Sequence, residues 1–280
     1  RIERTILGAG TRVLTQEIPA TKSAGVSLWV PVGSRDEGPR TAGSTHFLEH
    51  LLFKGTNKRS ALDIAVAFDS VGGESNAETA REHTAYWARV RDADLDMAIE
   101  TLTDMVTDSR LDEEDFSLER GVILDELAMG EDSPTDTVHD TFQLAVHGDR
   151  PIGRPVGGTA QAIREVERAD VWEHYQAHYC PSSLIVAAAG NVDHESVCER
   201  VQAALEGSPW DAGSAASPWP RRSTTVTPIA DHDKDIPRRR DVTQAHVIIG
   251  CEGLSATDPA GPTMRVLLSV LGGSMSSRLF

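Results

Sequence analysis

The order of helical and strand patterns constrains the fold of this chain more than any other feature. The two patterns follow one another in mixed order, without the regular alternation of a doubly wound parallel sheet. We therefore expect an α+β fold, in which an antiparallel or mixed sheet packs with helices. Strands are predicted twice within 11–34 and once each in 75–91 and 183–192; helices are predicted from Ser44 or Thr45 as N-cap, and over 61–73, 93–108, 113–129 (closed by Gly130) and about 160–178.

The chain is long enough for more than one domain, since 280 residues exceed the usual size of a single compact unit. The stretch 206–225 is rich in Gly, Ser, Pro and Ala, which is typical of a linker. Beyond it, a strand-like segment over 241–253 and a helical pattern loosely repeat the order of the first part. The chain stops on two large apolar residues, so we expect a piece of a longer protein. The predicted division is a complete first domain over 1–210, a linker over 211–224 and the beginning of a homologous second domain over 225–280.

Composition and charge exclude several classes of protein. The net charge is −16, with 43 acidic against 27 basic residues, which argues against a nucleic-acid partner. No apolar run approaches the roughly 18 residues that a membrane span needs, so none is expected. Three widely spaced cysteines without a C-x-x-C pair fit a reducing compartment, and a cytoplasmic location is expected. The first residue is Arg1, near which no signal peptide is visible.

A histidine motif offers the first candidate site. His46 and His50 are four residues apart, with Glu49 beside the second, in the pattern H-x-x-E-H. On a helix these side chains share one face, so two imidazoles can bind one Zn²⁺ and the glutamate can deprotonate a water that the metal activates. A polar helix face that carries two stray histidines would show the same five residues. Two ligands alone do not make a catalytic zinc site.

Glu119 and Glu126 offer a third ligand. They are seven residues apart and share a face of the helix predicted over 113–129. Three apolar residues are expected to give this helix a core side, where two carboxylates are costly unless a cation lies beside them. The alternative is a solvated acidic stripe, because four further acidic residues are close by. The three apolar residues are Val122, Ile123 and Leu127.

Four motifs follow one another along the chain: VGSRDEGPRTAGSTHFLEHLLFKGT, GGESNAETAREHTAYWARV, ERGVILDELAMGEDSP and AAAGNVDHE. In this order they resemble the motifs of the pitrilysin/insulinase family of zinc metallopeptidases, which are inverzincins. The resemblance is to the mitochondrial-processing-peptidase-like branch of that family. It covers essentially residues 10 to 280, which makes it far more specific than the five-residue motif alone.

The resemblance implies roles for seven residues in a peptidase active site. Three match the family's zinc ligands, one its general base, one a second acid near the metal, and two an edge strand that pairs with extended substrate. Without the resemblance, Asn76 also fits a turn residue after Gly72 and Gly73. In the order of those roles the residues are His46, His50 and Glu126; Glu49; Glu119; and Asn76 and Ala77.

The resemblance also implies an activity and partners. The implied protein is a zinc-dependent endopeptidase that hydrolyses extended peptides or small unfolded polypeptides, with one Zn²⁺ per catalytic domain. In the family two homologous halves close like a clamshell, so a second half is expected in the same chain or in a partner subunit. Two alternatives remain open. One is a non-catalytic scaffold or partner subunit of a processing-peptidase-like heterodimer, and the other is a structural zinc module, which would need a fourth protein ligand.

A second histidine pair has the same spacing but not the same context. His174 and His178 are four residues apart, yet no glutamate stands at the position of the base. They lie at the C-terminal end of a predicted helix, where a histidine favours the helix dipole. We expect a structural role for this pair.

Overall fold

The computed structural model describes residues 1–148, 150–212, 237–255 and 257–279. Within these ranges the strands are β1 (Ile2–Ile6), β2 (Arg12–Glu17), β3 (Ser23–Val30), β4 (Glu74–Thr79), β5 (Thr84–Arg91) and β6 (Ile185–Gly190). The α-helices are α1 (Ser44–Leu51), α2 (Ala61–Asp69), α3 (Leu95–Asp108), α4 (Glu113–Asp132), α5 (Pro134–His147), α6 (Ala160–Glu165), α7 (Arg168–His178), α8 (His194–Glu206) and α9 (Gly261–Gly272). Short 3₁₀ turns connect several of them.

The six strands form one mixed sheet in the order β1-β2-β6-β3-β5-β4. Only the pair β2 and β6 is parallel among these neighbours; the other four pairs are antiparallel. β6 comes late in the chain and lies between two early strands, β2 and β3. It therefore joins the pair β1 and β2 to the other three strands of the sheet. β4 lies at one edge. The predicted α+β fold, with a mixed sheet packed with helices, is confirmed.

The helices cover one face of the sheet. In β3, Val26, Leu28 and Val30 are buried while the residues between them are half-buried, as the period of two along a strand requires. α3 packs on β3 and β5, and α8 packs on β2. α1 contacts α4, α7 and the edge strand β4. Helix α1 therefore lies where the covered face of the sheet meets its β4 edge.

Two segments predicted as single elements are each divided in the structure. Residues 75–91 are a hairpin of β4 and β5, in whose turn the Ala80 N–H donates to the His83 carbonyl at 2.8 Å. Both strands of a hairpin have the same alternation, so the pattern alone does not reveal the turn. Residues 160–178 are two helices, α6 and α7. The second begins at a cap in which the Glu167 N–H donates to the Asp170 carboxylate at 3.1 Å.

Two predicted helix boundaries are wrong. The N-cap of α1 is Gly43, with a φ of 91°, and not Ser44 or Thr45, which lie inside the helix. α4 continues through Gly130 to Asp132. The chain turns at Ser133, whose hydroxyl accepts the Asp136 N–H to begin α5. A glycine inside a helix is tolerated when a stronger cap follows within a few residues.

The strand predicted over 241–253 is absent, although the structure describes this segment. Val247 and Ile249 are 76% and 91% exposed there, and none of the strands in the described ranges pairs with them. An isolated extended segment is not a stable strand, which explains the difference. The predicted domain division stays a prediction, because most of its linker, 213–224, lies outside the described residues. In the part of the chain that the structure describes, no helix is long and apolar enough to cross a bilayer.

Candidate metal centre

Helix α1 presents two histidines on the same face. The rings of His46 and His50 lie edge to face, with centroids 4.8 Å apart. The opposite face of the helix is anchored in the core by Phe47, Leu48 and Leu51, all fully buried. This division follows from the sequence, since the apolar positions are offset from the histidines by the period of the helix. The two imidazoles are therefore held one turn apart by a buried support.

Helix α4 brings a carboxylate to these imidazoles. The Glu126 Oε2 lies 3.8 Å from His46 Nε2 and 3.5 Å from His50 Nε2. One ligand atom from each of the three residues lies within 4.8 Å of the others. Helices α1 and α4 are fixed to each other by stacked rings of Phe47 and Phe116, whose centroids are 4.4 Å apart. The structure thus brings together the three predicted ligands, which the sequence separates by up to 80 residues.

The predicted core side of α4 is partly wrong. Ile123 is fully buried, but Val122 is 44% exposed, and Leu127 is only partly buried against the core. Glu119, by contrast, is 5% exposed. The side that α4 buries is set by its contact with α1 and not by the number of its apolar residues. The carboxylates on this helix are therefore not equivalent, because Glu119 is enclosed while Glu126 remains partly open.

The Glu119 carboxylate contacts one of the two histidines, His50, at its Nδ1 atom. Its Oε2 lies 2.8 Å from His50 Nδ1, and its Oε1 lies 2.7 Å from the Lys54 ammonium. Burial would raise the pKa of Glu119, but its hydrogen bonds to Lys54 and His50 outweigh burial and lower it. The ionised carboxylate accepts a hydrogen bond from the Nδ1–H of His50, which leaves Nε2 without a proton and free to bind a metal. This place agrees with the second acid near the metal that the family resemblance implies for Glu119, whose role stays a prediction.

The donor set fits Zn²⁺. Two imidazole nitrogens and a carboxylate oxygen are the ligands of many catalytic zinc sites, which keep a further position open. Ligand atoms bound at about 2.0–2.1 Å in a tetrahedron lie about 3.3 Å apart, close to the nitrogen–oxygen separations in this cluster. Burial and the neighbouring His50 lower the pKa of His46, although Glu49 and Glu126 raise it. A lowered pKa favours the neutral imidazole that binds metal.

Glu49 lies on α1 beside the cluster but is not part of it. It is half-buried, and among the described residues the metal-binding group contains only His46, His50 and Glu126. Burial is the main reason that the pKa of Tyr86 and that of Tyr179 are raised, and the nearby Glu49 carboxylate adds to both shifts. The Glu49 carboxylate thus lies close enough to Tyr86, to Tyr179 and to the ligand His46 to shift the pKa of each. This position suits a proton acceptor better than a fourth ligand.

Asn76 and Ala77 lie on the edge strand β4, next to α1. In the sheet they pair with Trp87 and Tyr86 of β5. Asn76 is exposed, and its side-chain oxygen accepts the Ala77 N–H at 2.8 Å. The alternative of a turn residue does not hold for Asn76, because the turn lies earlier, at Gly72 and Gly73, and residue 76 is inside the strand.

His174 and His178 are buried structural residues. His174 is 6% exposed, and its Nε2 lies 3.0 Å from the Thr45 hydroxyl of α1. Burial, and to a lesser extent His178, lowers the pKa of His174 to about 3. His174 is therefore neutral at pH 7, and the predicted benefit from the helix dipole, which needs a charged ring, does not apply to it. Its role is to hold the first turn of α1.

Acidification is expected to destabilise the native protein partly through His174. Its pKa is 6.5 when unfolded and about 3 when folded, so the unfolded chain binds a proton that the folded chain excludes. The contribution of His174 to the free energy of unfolding is fully present above pH 6.5 and is lost as the pH falls toward 3. At pH 4 this loss amounts to about 3 kcal/mol. Denaturant unfolding at pH 7 and pH 4 measures it.

In the variant His174→Gln, the loss of unfolding free energy between pH 7 and pH 4 should be smaller than in the wild type by about 3 kcal/mol. The matched control is His139→Gln, because His139 is exposed on α5. The control should lose as much stability as the wild type. An equal loss in all three proteins would show that His174 is already protonated in the folded state at pH 4.

Two residues that sequence reasoning misses contribute to the site. Lys54 lies four residues after His50, a spacing that suggests a shared side, but α1 ends at Leu51 and the pattern is interrupted. Glu37 accepts backbone hydrogen bonds at the start of α1, from Gly43 and Thr45. Its position in a loop before the helix gives no periodic signal. Neither residue could be assigned without the contacts of the folded chain.

Two family profiles match the chain. The profile described as "Insulinase (Peptidase family M16)" matches residues 12–160, which is more than half of the chain. The chain belongs to the M16 family of peptidases. A second profile, described as "Peptidase M16 inactive domain", matches residues 165–280. All seven predicted site residues of this M16 protein fall within the first match, and the resemblance inferred from the four motifs is confirmed.

Relatives with curated names are named as proteases or peptidases. An uncharacterized zinc protease of Streptomyces coelicolor is 49% identical over 280 residues, which are 100% of this chain and 61% of the relative. A probable mitochondrial-processing peptidase subunit beta of Arabidopsis thaliana is 34% identical over 271 residues, 96% of this chain and 50% of the relative. This M16 protein thus spans less than two thirds of each of these relatives.

The fold is shared with solved structures. A protease from Helicobacter pylori superposes with a TM-score of 0.72 and 24% identity, covering 82% of this chain and 54% of that one. A putative M16-like peptidase from Alicyclobacillus acidocaldarius gives a TM-score of 0.69 at 23% identity, covering 75% and 50%. At such identities the likeness concerns the fold, and the chemistry of this M16 protein must be argued from its own residues.

Proposed function

We propose that this M16 protein is a zinc-dependent endopeptidase that hydrolyses extended peptides or small unfolded polypeptides. The observation that carries the proposal is the convergence of His46, His50 and Glu126 from two helices, with Glu49 beside them. The zinc protease names of its relatives support the same metal. A solvated acidic stripe does not explain a carboxylate held against two imidazoles.

The residues around the metal have distinct roles in the proposed reaction. When bound by His46, His50 and Glu126, Zn²⁺ supplies Lewis-acid chemistry that acidifies a water and polarises the scissile carbonyl. Glu49 accepts the proton of the attacking water and later returns it to the departing amine. Glu119 keeps the Nδ1 proton of His50 in place, so that Nε2 stays directed toward Glu126.

The position of β4 at the edge of the sheet favours a substrate in an extended conformation. β4 ends the sheet, so a peptide can add to it as a further strand through main-chain hydrogen bonds. The residues that would meet such a peptide include Asn76 and Ala77, as the family resemblance implies. Glu74 and Glu78 flank them and are exposed, and the whole chain carries a net charge of −16. We therefore propose that basic peptides are preferred.

A second half is part of the proposal. The chain spans 61% of the Streptomyces coelicolor relative, and the metal cluster lies at a partly open edge, where the Glu126 side chain is 41% exposed. We propose that a second half, in the same chain or in a partner subunit, closes over this edge. Closure would exclude water from the site and complete the contacts to the substrate carbonyl. The cytoplasmic location stays a prediction.

Cleavage of a quenched basic peptide by the full-length protein tests the proposal. Turnover is expected in the native protein, with loss on treatment with a chelator and recovery on addition of Zn²⁺. A protein that binds Zn²⁺ but cleaves no peptide, alone or with a partner subunit, would favour the alternative of a non-catalytic scaffold. Cleavage that persists without metal would contradict the zinc mechanism itself.

A further inference from the structure

The first turn of α1 lacks a cap of its own. The first N–H groups of a helix have no partner within it and need an acceptor from elsewhere. The N-cap residue of α1 is Gly43, which has no side chain to supply one. A Cβ at this position would lie 2.5 Å from the Ile163 Cδ1 and 3.1 Å from the Gly157 carbonyl oxygen. The packing around residue 43 thus excludes a capping side chain.

A carboxylate from the preceding loop takes the place of the cap. Glu37 Oε2 accepts the Gly43 N–H at 2.7 Å, and Glu37 Oε1 accepts the Thr45 N–H at 2.8 Å. Glu37 is 5% exposed. Each oxygen of an ionised carboxylate can accept, whereas an amide has only one accepting oxygen. A negative charge at the N-terminus of a helix is also favourable to the helix dipole.

The burial of Glu37 is costly and is offset locally. Burial raises the pKa of Glu37 by more than the hydrogen bonds from Thr45 and Gly43 and the charge of Arg154 lower it, so the pKa lies at about 7. A buried carboxylate with specific donors on both oxygens is an organised contact rather than a stray surface acid. In the same turn, the Thr45 hydroxyl contacts His174. The first turn of α1 is therefore held by two side chains from outside the helix, Glu37 and His174.

The two histidines of the site depend on this turn to different degrees. His50 is oriented by Glu119 at its Nδ1. The Nδ1 of His46 is buried and has no hydrogen-bond partner among the residues that the structure describes. Most metal-binding histidines are oriented by a partner at the second nitrogen. The placement of His46 thus depends on its backbone, which directly follows Thr45.

We propose that Glu37 is a positioning residue of the metal centre. Its carboxylate acts through the backbone N–H groups of Gly43 and Thr45, fixes the first turn of α1, and thereby places the ring of His46 for metal binding. The proposal rests on the proposed function only in that His46 is taken as a ligand of Zn²⁺. According to this proposal, metal affinity also depends on Glu37, which is not itself a ligand.

The variant Glu37→Gln in the full-length protein tests this role. It keeps the size of the side chain but can accept at only one of the two N–H groups. Competition with a chelator is expected to show Zn²⁺ binding about 10-fold weaker than in the wild type. In the metal-free protein, the amide hydrogens of Gly43 and Thr45 should exchange faster with solvent, while amides in the core of α3 stay protected.

Glu113→Gln is the matched control, because Glu113 is an exposed glutamate in the first turn of α4. It should bind Zn²⁺ as the wild type does. If Glu37→Gln does not fold, Glu37→Asp carries the test, since it keeps the charge but is too short to reach both N–H groups. It should also bind Zn²⁺ more weakly.

The positioning role would be overturned if folded Glu37→Gln bound Zn²⁺ with wild-type affinity. The same holds for Glu37→Asp where that variant is used instead. The readouts are metal affinity and amide exchange, so they separate this proposal from the proposed function. A wild-type protein that binds Zn²⁺ but cleaves no peptide contradicts the peptidase activity and leaves the effect of Glu37 measurable. A peptidase whose Zn²⁺ affinity is unchanged in the folded Glu37 variant contradicts only the positioning role.

Discussion

Replacement of Glu49 by Gln is expected to lower the rate of peptide hydrolysis by about 100- to 10,000-fold, the usual contribution of a general base. Glutamine is nearly isosteric with glutamate but cannot accept the proton of the attacking water. Zn²⁺ binding should be unchanged, because Glu49 lies outside the cluster of His46, His50 and Glu126. The measurement is kcat/KM for a quenched peptide together with the zinc content of the same preparation.

The matched control is Glu173→Gln, because Glu173 is exposed on α7. It should keep wild-type turnover. Turnover near the wild-type rate in Glu49→Gln would contradict the assignment of the base. Loss of zinc together with activity in the same variant would show instead that Glu49 is a ligand, and the roles of the residues around the metal would have to be reassigned.

Replacement of Glu126 by Gln is expected to weaken Zn²⁺ binding by at least about 100-fold and to abolish turnover at ordinary zinc concentrations. The variant removes the only charged ligand and leaves two neutral imidazoles. The neighbouring Asp125 is an exposed carboxylate on the same helix and allows a close control. Asp125→Asn removes the same charge from α4 but should keep zinc, because its carboxylate is not among the ligand atoms.

Chelator competition with both variants separates a specific ligand from a general effect of charge. If the two variants lose the same affinity, the acidic character of α4 attracts the metal and Glu126 is no ligand. If neither loses affinity, the third ligand must come from another residue. Only a large loss confined to Glu126→Gln agrees with the proposed site.

The fold could be predicted where burial is visible in the sequence. β3 alternates buried and half-buried residues, and β6 is a short apolar run, so both are recognisable. β1 is not, because four of its five residues are exposed and only its partner β2 makes it a strand. The segment 241–253 shows the reverse case. Its composition favours a strand, but no strand among the residues that the structure describes pairs with it.

The site could be predicted where its geometry is local. The spacing of His46, Glu49 and His50 places them together on any helix. The need for a third ligand points to the helix of Glu119 and Glu126, and only the family resemblance distinguishes Glu126 from Glu119. The contact between Thr45 and His174 joins residues 129 apart in the chain, and no sequence pattern predicts it. Such contacts depend on which helices pack together, which the sequence does not show directly.

Anomalous diffraction at the zinc absorption edge, from crystals of the full-length protein grown with Zn²⁺, tests the central claim most directly. One strong peak is expected in contact with the Nε2 atoms of His46 and His50 and with the Glu126 carboxylate, and Glu49 should lie outside bonding distance. A strong peak at His174 and His178, or no ordered peak at the proposed ligands, would contradict the account.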